Sequence, residues 1–228
     1  FSVKPEENVD VNKVMELLRS TYEGTDLDMT RNLKIVNRKG DTIVSPTANP
    51  WLGNTEISTY NFLKPGTVEF QRTVSVSWCS YSFVAQLRDW MPDEIGGVCY
   101  ISVENPGQSP RIPVYCGSTE MPKVFSHCGH HGYNENTALW RYRKANKLAQ
   151  VMWGNTKDML INNVLRYEQK AREEQPELEK RVKALLDDGK KEEAQKMLNR
   201  YTADFEAATA QTWKEMEQRL WEFFWIGF

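Results

Sequence analysis

The pattern of apolar and polar positions divides the chain into a β-rich middle and a helical C-terminal third. Alternating apolar positions predict two strands, Thr73–Trp78 and Ser82–Leu87. A near-continuous apolar run predicts a buried strand over Gly97–Val103, and a shorter run predicts another over Ile112–Tyr115. The acidic residues and glycines of Asp93–Gly97 predict a turn before these last two strands.

The N-terminal region has fewer regular elements. Asp10 precedes apolar residues at helical spacing, which predicts an N-capped helix from residue 11 to about residue 22. Residues 26–65 are rich in turn-forming Gly, Pro and Asn, so we expect mostly loops there. Two short β-prone runs within them predict strands at Lys34–Val36 and Thr42–Val44.

From Asn136 onward the apolar residues are spaced by three or four almost to the end of the chain. Pro176 interrupts this pattern and predicts a new helix or a kink. A turn is predicted at residues 187–189, followed by one amphipathic helix of about 35 residues. We expect the two helical segments to pack as a long antiparallel pair on the β-rich body, which divides the chain into residues 1–154 and 155–228.

Composition and charge narrow the class of protein. The chain has 228 residues, 29 Lys and Arg, and 31 Asp and Glu, so its formal charge is −2. A near-neutral chain lacks the basic footprint of general nucleic-acid binding. No apolar run approaches the roughly 20 residues that a membrane-spanning helix needs. These observations favour a globular protein that neither binds nucleic acid nor spans a membrane.

The cysteines and histidines offer one candidate metal site. The four cysteines form no C-x-x-C pair, and four are too few for a disulfide-dense scaffold. All three histidines lie with Cys128 in the short segment 127–131. Residues so close in sequence seldom point at one tetrahedral centre, so we expect no bound metal or other cofactor. A polar loop with one buried histidine is the alternative.

Known catalytic motifs are absent from the sequence. It contains no G-x-S-x-G elbow, phosphate-binding loop, dinucleotide fingerprint or H-E-x-x-H helix. The carboxylates Asp89, Asp93 and Glu94 lie beside a predicted turn, where solvated turn residues are the simpler interpretation. The residues by themselves therefore predict only an α+β domain with a helical tail.

Four spaced segments resemble a known family. They read RTVSV from Arg72, QLRDWMPDEIGG from Gln86, IPVYCG from Ile112 and ALWRY from Ala138. The set resembles the C-terminal half of cysteine dipeptidases of the dipeptidase A type. The Phe-Ser opening, the first helix and YEGT from Tyr22 are also similar to that family. The resemblance covers residues 1 to about 153, and less specifically the helices beyond.

The resemblance implies an N-terminal-nucleophile hydrolase, a sandwich of two β-sheets between layers of helices (αββα). In that family a cysteine exposed at the mature N-terminus supplies both the thiol and the amine base. Phe1 has no nucleophilic group, and all four cysteines of the chain are internal. We therefore expect the C-terminal segment of a dipeptidase, with its nucleophile on a missing N-terminal half, and no activity of this chain alone.

The resemblance also indicates candidate site residues. Arg72 opens the matched strand, where an arginine would support catalysis by lowering the thiol pKa or binding the substrate carboxylate. A structural ion pair is the alternative for Arg72. Arg88, Trp78 and Tyr81 are candidate substrate-binding residues, although Arg88 also suits an ion pair and strand aromatics are commonly core.

Other hypotheses come from different classes. The aromatic residues are numerous enough for a non-catalytic binding module, with the helical tail mediating assembly. A small metal-binding protein that uses the histidine segment is a third hypothesis. The expected partners are a dipeptide and the N-terminal half of the same protein, and the chain is compatible with a homo-oligomer. Because the resembled family includes members with signal peptides, the periplasm or the exterior is favoured over the cytoplasm.

Overall fold

The computed structural model describes residues 4–226, so Phe1, the basis of the expectation about the nucleophile, lies outside the described residues. The chain forms an α+β fold with a two-stranded ribbon and a three-stranded sheet. The helices are α1 Val11–Leu18, α2 Asn54–Leu63, α3 Asp93–Gly96, α4 Ala138–Val151, α5 Trp153–Asp187 and α6 Lys191–Ile226, with a short 3-10 helix at Lys123–Phe125; the strands are β1 Lys34–Val36, β2 Thr42–Val44, β3 Tyr81–Leu87, β4 Gly97–Val103 and β5 Ile112–Tyr115.

The three-stranded sheet has the order β3-β4-β5, and both pairings are antiparallel. Val84 lies opposite Tyr100, and Val98 lies opposite Tyr115, so these side chains share one face of the sheet. That face packs on α1, α5 and α6 through one buried apolar cluster. The strands predicted at Ser82–Leu87, Gly97–Val103 and Ile112–Tyr115 are thus confirmed, and the inner-face residues Val84, Val98 and Tyr115 are buried.

The two long helices enclose most of the apolar core. α5 and α6 contact each other, and α6 also contacts α4 and β5. Asn163 donates to Met216 Sδ, while four residues later along α5 the Tyr167 hydroxyl donates to the Ala208 carbonyl, so the two helices run in opposite directions. The turn between them uses Gly189 at φ 75°, a conformation that favours glycine.

The strand predicted at Thr73–Trp78 is wrong. The segment is a loop in which the polar residues Thr73, Ser75 and Ser77 are buried, while Val74 and Trp78 are exposed. Buried and exposed residues do alternate here, but the polar residues face inward and the apolar residues face solvent. The Ser75 amide bonds to Ser20 O in another loop, so no neighbouring strand satisfies this part of the backbone.

Three other boundaries differ from expectation. The Asp10 carboxylate caps α1 as predicted, accepting from the Lys13 amide at 2.8 Å, but the helix ends at Leu18. α5 continues through Pro176, which neither begins a helix nor ends one. The turn predicted at residues 93–97 is the single helical turn α3.

One helix was not predicted. α2 has no buried residue, so no apolar stripe reveals it. The Glu56 carboxylate accepts the Gly53 amide at 2.7 Å and fixes its first turn. Within residues 4–226, no helix combines the length and apolarity that crossing a bilayer requires.

Candidate functional site

The loop at residues 72–78, which carries Arg72, is fixed by hydrogen bonds to buried groups. The Thr73 hydroxyl donates to Ser75 O at 2.6 Å, and the Trp51 indole donates to the same oxygen at 2.6 Å. The Ser75 hydroxyl donates to Asn105 Oδ1 and accepts the Gly107 amide at 2.9 Å. A Cβ on Gly107 would lie 2.5 Å from Ser75 Oγ, so glycine is needed for this close approach. The buried hydroxyls of Thr73 and Ser75 thus both have partners, which fixes the loop.

A second layer of buried polar groups extends this support to the helices. Asn146 on α4 donates to Glu104 Oε2 at 2.6 Å and accepts the Trp213 indole of α6 at 2.9 Å. Gln108 donates to Asn146 O at 3.1 Å and accepts Asn105 Nδ2 at 2.9 Å. The loop at residues 72–78 is thereby connected to the helical core.

Glu104 is the charged centre of this layer. It is fully buried and has φ 73°, a strained conformation for a residue other than glycine. Burial raises the pKa of its carboxyl group, opposed by hydrogen bonds from Asn146 and the Asn105 amide and by the nearby charges of Lys147 and Arg143. Burial also lowers the pKa of Lys147. This cluster could not be predicted from the sequence, because residues 104–110 resemble an ordinary polar turn.

Three of the candidate site residues lie on the surface. Arg72 is exposed and makes no hydrogen bond or ion pair among the described residues, so the structural ion pair considered as its alternative is not formed. Trp78 is 57% exposed and Tyr81 is 64% exposed. These two aromatic rings are therefore not core residues within the described chain, and all three side chains are available to a ligand or another protein segment.

Arg88 lies in a different environment. Its Nη1 and Nη2 atoms donate to the two carboxylate oxygens of Glu179 on α5 at 2.9 and 2.7 Å, and Nη2 also bonds to Ile95 O at 2.6 Å. The ion pair with Glu179 raises the pKa of Arg88. Arg88 thus connects the sheet to α5 and does not join the exposed group of Arg72, Trp78 and Tyr81.

The exposed side of β3 extends this surface. Tyr81, Phe83 and Leu87 point to the same face, and they are 64%, 56% and 79% exposed. Trp90 follows just beyond the strand and is 75% exposed. Contiguous exposed apolar groups on one sheet face are typical of an interaction surface. The period-two pattern predicts that the β3 side chains share a face, but it cannot show that this face is uncovered.

Two of the four cysteines, Cys79 and Cys99, lie in environments that disfavour an activated thiol. Burial raises the pKa values of Cys79 and Cys99, whereas a nucleophile needs a lowered pKa. The Cys79 thiol donates to Tyr81 O at 3.2 Å. Cys116 and Cys128 are exposed, and no disulfide is formed.

The histidine segment is a surface loop. His127, His130 and His131 are all exposed, so the expectation of one buried histidine is wrong. The loop is instead fixed through its backbone, because the Trp140 indole donates to Gly129 O and to Gly132 O, each at 2.8 Å. Among residues 4–226, no group of three or more His, Cys, Asp or Glu side chains is placed to hold a metal ion.

Comparison with known proteins gives one family match. The family model described as Peptidase family C69 matches residues 1–169, about three quarters of the chain. The match includes the ribbon, the three-stranded sheet, α4 and the first half of α5. No curated protein matches the chain.

Proposed function

The chain belongs to peptidase family C69, the dipeptidase A family of cysteine peptidases, and from this premise we propose that it is the part of a dipeptidase that completes the active site around a cysteine on another segment of the same protein. The nucleophile would be an N-terminal cysteine outside this chain. The observation that carries the proposal is Arg72, an exposed cation with no partner among residues 4–226, on a loop fixed by buried hydrogen bonds.

The proposed chemistry is acyl transfer to a thiol. The α-amine of the N-terminal cysteine takes the thiol proton as the sulfur attacks the peptide carbonyl, and it gives that proton to the amine of the departing C-terminal amino acid as the C–N bond breaks. Water then hydrolyses the thioester, which releases the N-terminal amino acid and restores the thiol. A guanidinium near the thiol lowers the thiol pKa electrostatically. A guanidinium near the substrate binds its carboxylate through two parallel hydrogen bonds. Arg72 suits either role because none of its N–H groups is bound within the described chain.

The exposed side of β3 supports the proposed αββα sandwich. β3 is an edge strand, and its uncovered face carries Tyr81, Phe83 and Leu87. A second sheet packed on this face would cover it, as the two sheets of a sandwich cover each other's apolar side chains. We infer that the second sheet comes from the segment that carries the nucleophile. Trp78 and Tyr81 would then line the cleft in which the dipeptide binds.

Arg72→Ala in the protein that carries the nucleophile tests the proposed role. We expect kcat/KM for dipeptides to fall at least about 100-fold, because a charged contact to the transition state is worth about 3 kcal/mol. The melting temperature should not change, because Arg72 bonds to no other described residue. Arg38→Ala is the matched control, since Arg38 is also exposed and lies on the β1–β2 turn.

The two roles of Arg72 differ in their kinetics. Loss of a carboxylate contact would raise KM for a dipeptide and leave hydrolysis of the corresponding dipeptide amide almost unchanged. Loss of thiol activation would move the pH–rate profile to higher pH for both substrates. Near-normal kinetics of Arg72→Ala toward both would contradict a site role. The isolated chain should hydrolyse neither substrate, because the proposed nucleophile lies on another segment.

A further inference from the structure

A cavity of about 310 Å³ lies between the sheet and the helices, on the face opposite the exposed side of β3. Its walls come from α1, from β3 and β4, from Arg111 just before β5, and from the middle of α5. Both Val84 on β3 and Tyr100 on β4 belong to this inner face, whereas Phe83 belongs to the outer one. The cavity is therefore separate from the surface that carries Arg72 and Tyr81.

Buried hydrogen-bond donors in the cavity wall lack partners. Arg111 is 1% exposed, and only its Nη1 atom forms a hydrogen bond, to Ser82 Oγ at 3.1 Å. Its Nε and Nη2 atoms have none, and Nε lies 3.8 Å from Glu168 Oε1, beyond hydrogen-bond distance. The Nε2 atom of Gln175, a residue that is 6% exposed, also lacks a partner. Buried donors are normally satisfied, so this grouping indicates a missing acceptor.

The acidic residues of the wall cannot supply that acceptor, because each is already bound to another arginine. Both carboxylate oxygens of Glu168 accept hydrogen bonds from Arg19 Nη1, at 2.5 and 2.7 Å. Glu179 is bound by Arg88 and also accepts the Tyr115 hydroxyl at 2.9 Å. Glu168 Oε1 also lies within ion-pair distance of Arg111 Nε, so Arg19 and Arg111 share one carboxylate. Arg19, Arg88 and Arg111 together carry one positive charge more than Glu168 and Glu179.

The surplus charge is costly without a counter-ion. Burial lowers the pKa of Arg111 to about 10, so the guanidinium is still charged at neutral pH. A buried charge that is not fully compensated destabilises the fold, because it has lost its hydration. An anion in the cavity would offset that cost, because a guanidinium binds a carboxylate through two parallel hydrogen bonds.

We propose that this cavity is a binding site for a small organic carboxylate, held by Arg111 and Gln175. The remaining wall defines the rest of the ligand, because Val11, Met15 and Ala171 present apolar side chains. The volume lies at the lower end of the range for small-molecule sites, about 300–1,000 Å³. It suits a short-chain carboxylic acid, an amino acid or a dipeptide, which share the carboxylate and a small apolar group.

The cavity opens between α1 and α5, where a ligand could enter. Arg172 on α5 is exposed and donates to Asn12 Oδ1 on α1 at 3.1 Å, so one surface hydrogen bond crosses the opening between the two helices. Breaking that bond would separate the Arg172 and Asn12 side chains and widen the opening. The additional positive charge of Arg172 attracts an anion toward the opening.

Binding can be measured without any turnover, so the test does not depend on the proposed peptidase activity. Butyrate, leucine and glycyl-leucine are titrated into the chain labelled at its methionine methyl groups, with butyramide as the uncharged control. We expect saturable shifts of the Met15 signal, because Met15 is buried in the cavity wall, and none at the exposed Met121. The strongest of the three probes identifies the source of the carboxylate.

Two variants separate binding from folding. Arg111→Met removes the cation, and Gln175→Leu removes the second donor, so each should weaken binding of the best probe at least tenfold. Arg141→Met is the matched control, because Arg141 pairs with Glu206 at 3.0 Å outside the cavity and should leave binding unchanged. Equal shifts with butyrate and butyramide, no saturation with any carboxylate, or full binding by a folded Gln175→Leu protein would overturn the proposal. Saturation by inorganic phosphate alone would also overturn it.

Discussion

The two faces of the three-stranded sheet differ in how far the chain itself completes them. On the inner face Val84 is 7% exposed, and Val98 and Tyr115 are 2% exposed, because α1, α5 and α6 pack over them. On the outer face, along β3, Phe83 is 56% exposed and Leu87 is 79% exposed. Adjacent residues of one strand therefore lie in opposite environments.

The comparison indicates which face of the sheet stabilises the fold and which face is available to bind another segment. Burial of apolar area stabilises the fold in proportion to the area removed from water, so the inner face contributes and the outer face contributes little. An apolar surface that gives no stability to its own chain is expected to have another use. Here the outer face adjoins the loop of Arg72 and Trp78, which agrees with its proposed role in forming the dipeptidase cleft.

The largest expected loss of stability comes from removing α6, one of the helices that cover the inner face of the sheet. Deleting residues 195–228 removes most of α6, including the fully buried side chains of Leu198, Trp213 and Leu220. Each such side chain gains about 1.5–3 kcal/mol on burial, against a total stability of about 5–15 kcal/mol. We expect the shortened chain to be insoluble or unfolded by circular dichroism.

Trp225→Ala is the control for that deletion, because Trp225 is 89% exposed on the last turn of α6 and should be dispensable for folding. A shortened chain that stays monomeric and keeps its melting temperature would contradict the comparison. It would make α6 a separate interaction element and strengthen the hypothesis of a non-catalytic binding module.

A single core substitution should have the next largest effect. Trp213 is fully buried, lies edge-on to Tyr142 with ring centroids 5.7 Å apart, and donates to Asn146 Oδ1. Trp213→Ala should lower the free energy of unfolding by about 3–5 kcal/mol, because it leaves a cavity and an unpaired amide. Urea denaturation of the two proteins gives this difference. Trp221→Ala, on an exposed position of the same helix, should change it by less than about 0.5 kcal/mol.

The three-stranded sheet and the long helices could be predicted from the sequence, because their apolar residues form recognisable runs or helical spacings. Gly97–Val103 and Ile112–Tyr115 were located correctly, since both are short apolar runs between turns. The segment from Thr73 was misassigned, because alternation alone does not say which residues face inward. Here hydrogen bonds to Ser20 and Asn105 bury the polar residues, and those partners are distant in sequence.

The candidate site was predicted only where a family resemblance supplied the residue. No periodicity distinguishes Arg72, which is exposed, from Arg88, which is paired with Glu179. The grouping of Arg111 with Gln175 could not be predicted at all. It depends on the packing of α5 against the sheet, and arginines in a sequence do not reveal which of them will have to share a carboxylate.

The buried polar layer behind the Arg72 loop provides a test that depends on pH. The pKa of Glu104 is raised above its unfolded value, so the folded state binds the proton more tightly. The stability that this gives is present below the unfolded pKa and is lost as the pH rises through the folded pKa. Glu104→Gln stays neutral, so its free energy of unfolding should fall less than that of the wild type as the pH rises from about 4 to 7.

Urea denaturation at a series of pH values compares the two proteins. Glu135→Gln is a suitable control, because Glu135 is exposed and hydrogen bonds from Tyr133 and Lys144 lower its pKa instead. Parallel pH profiles of Glu104→Gln and the wild type would mean that Arg143 and Lys147 stabilise the ionised carboxylate enough to offset its burial. The polar layer would then act as a compensated charge cluster.

The smallest expected change in unfolding free energy comes from a substitution on the outer face. The adjacent residues Phe83 and Val84 allow the two faces to be compared directly. Val84→Ala removes two methylene-sized groups from the inner face and should cost about 1.6 kcal/mol of unfolding free energy. Phe83→Ala removes a larger side chain but should cost less than about 0.5 kcal/mol, because Phe83 is already more than half exposed. A larger loss for Phe83→Ala than for Val84→Ala would show that the isolated chain covers its outer face, for example by self-association. The face would then be unavailable to a second sheet, and the proposed sandwich would lose its main support.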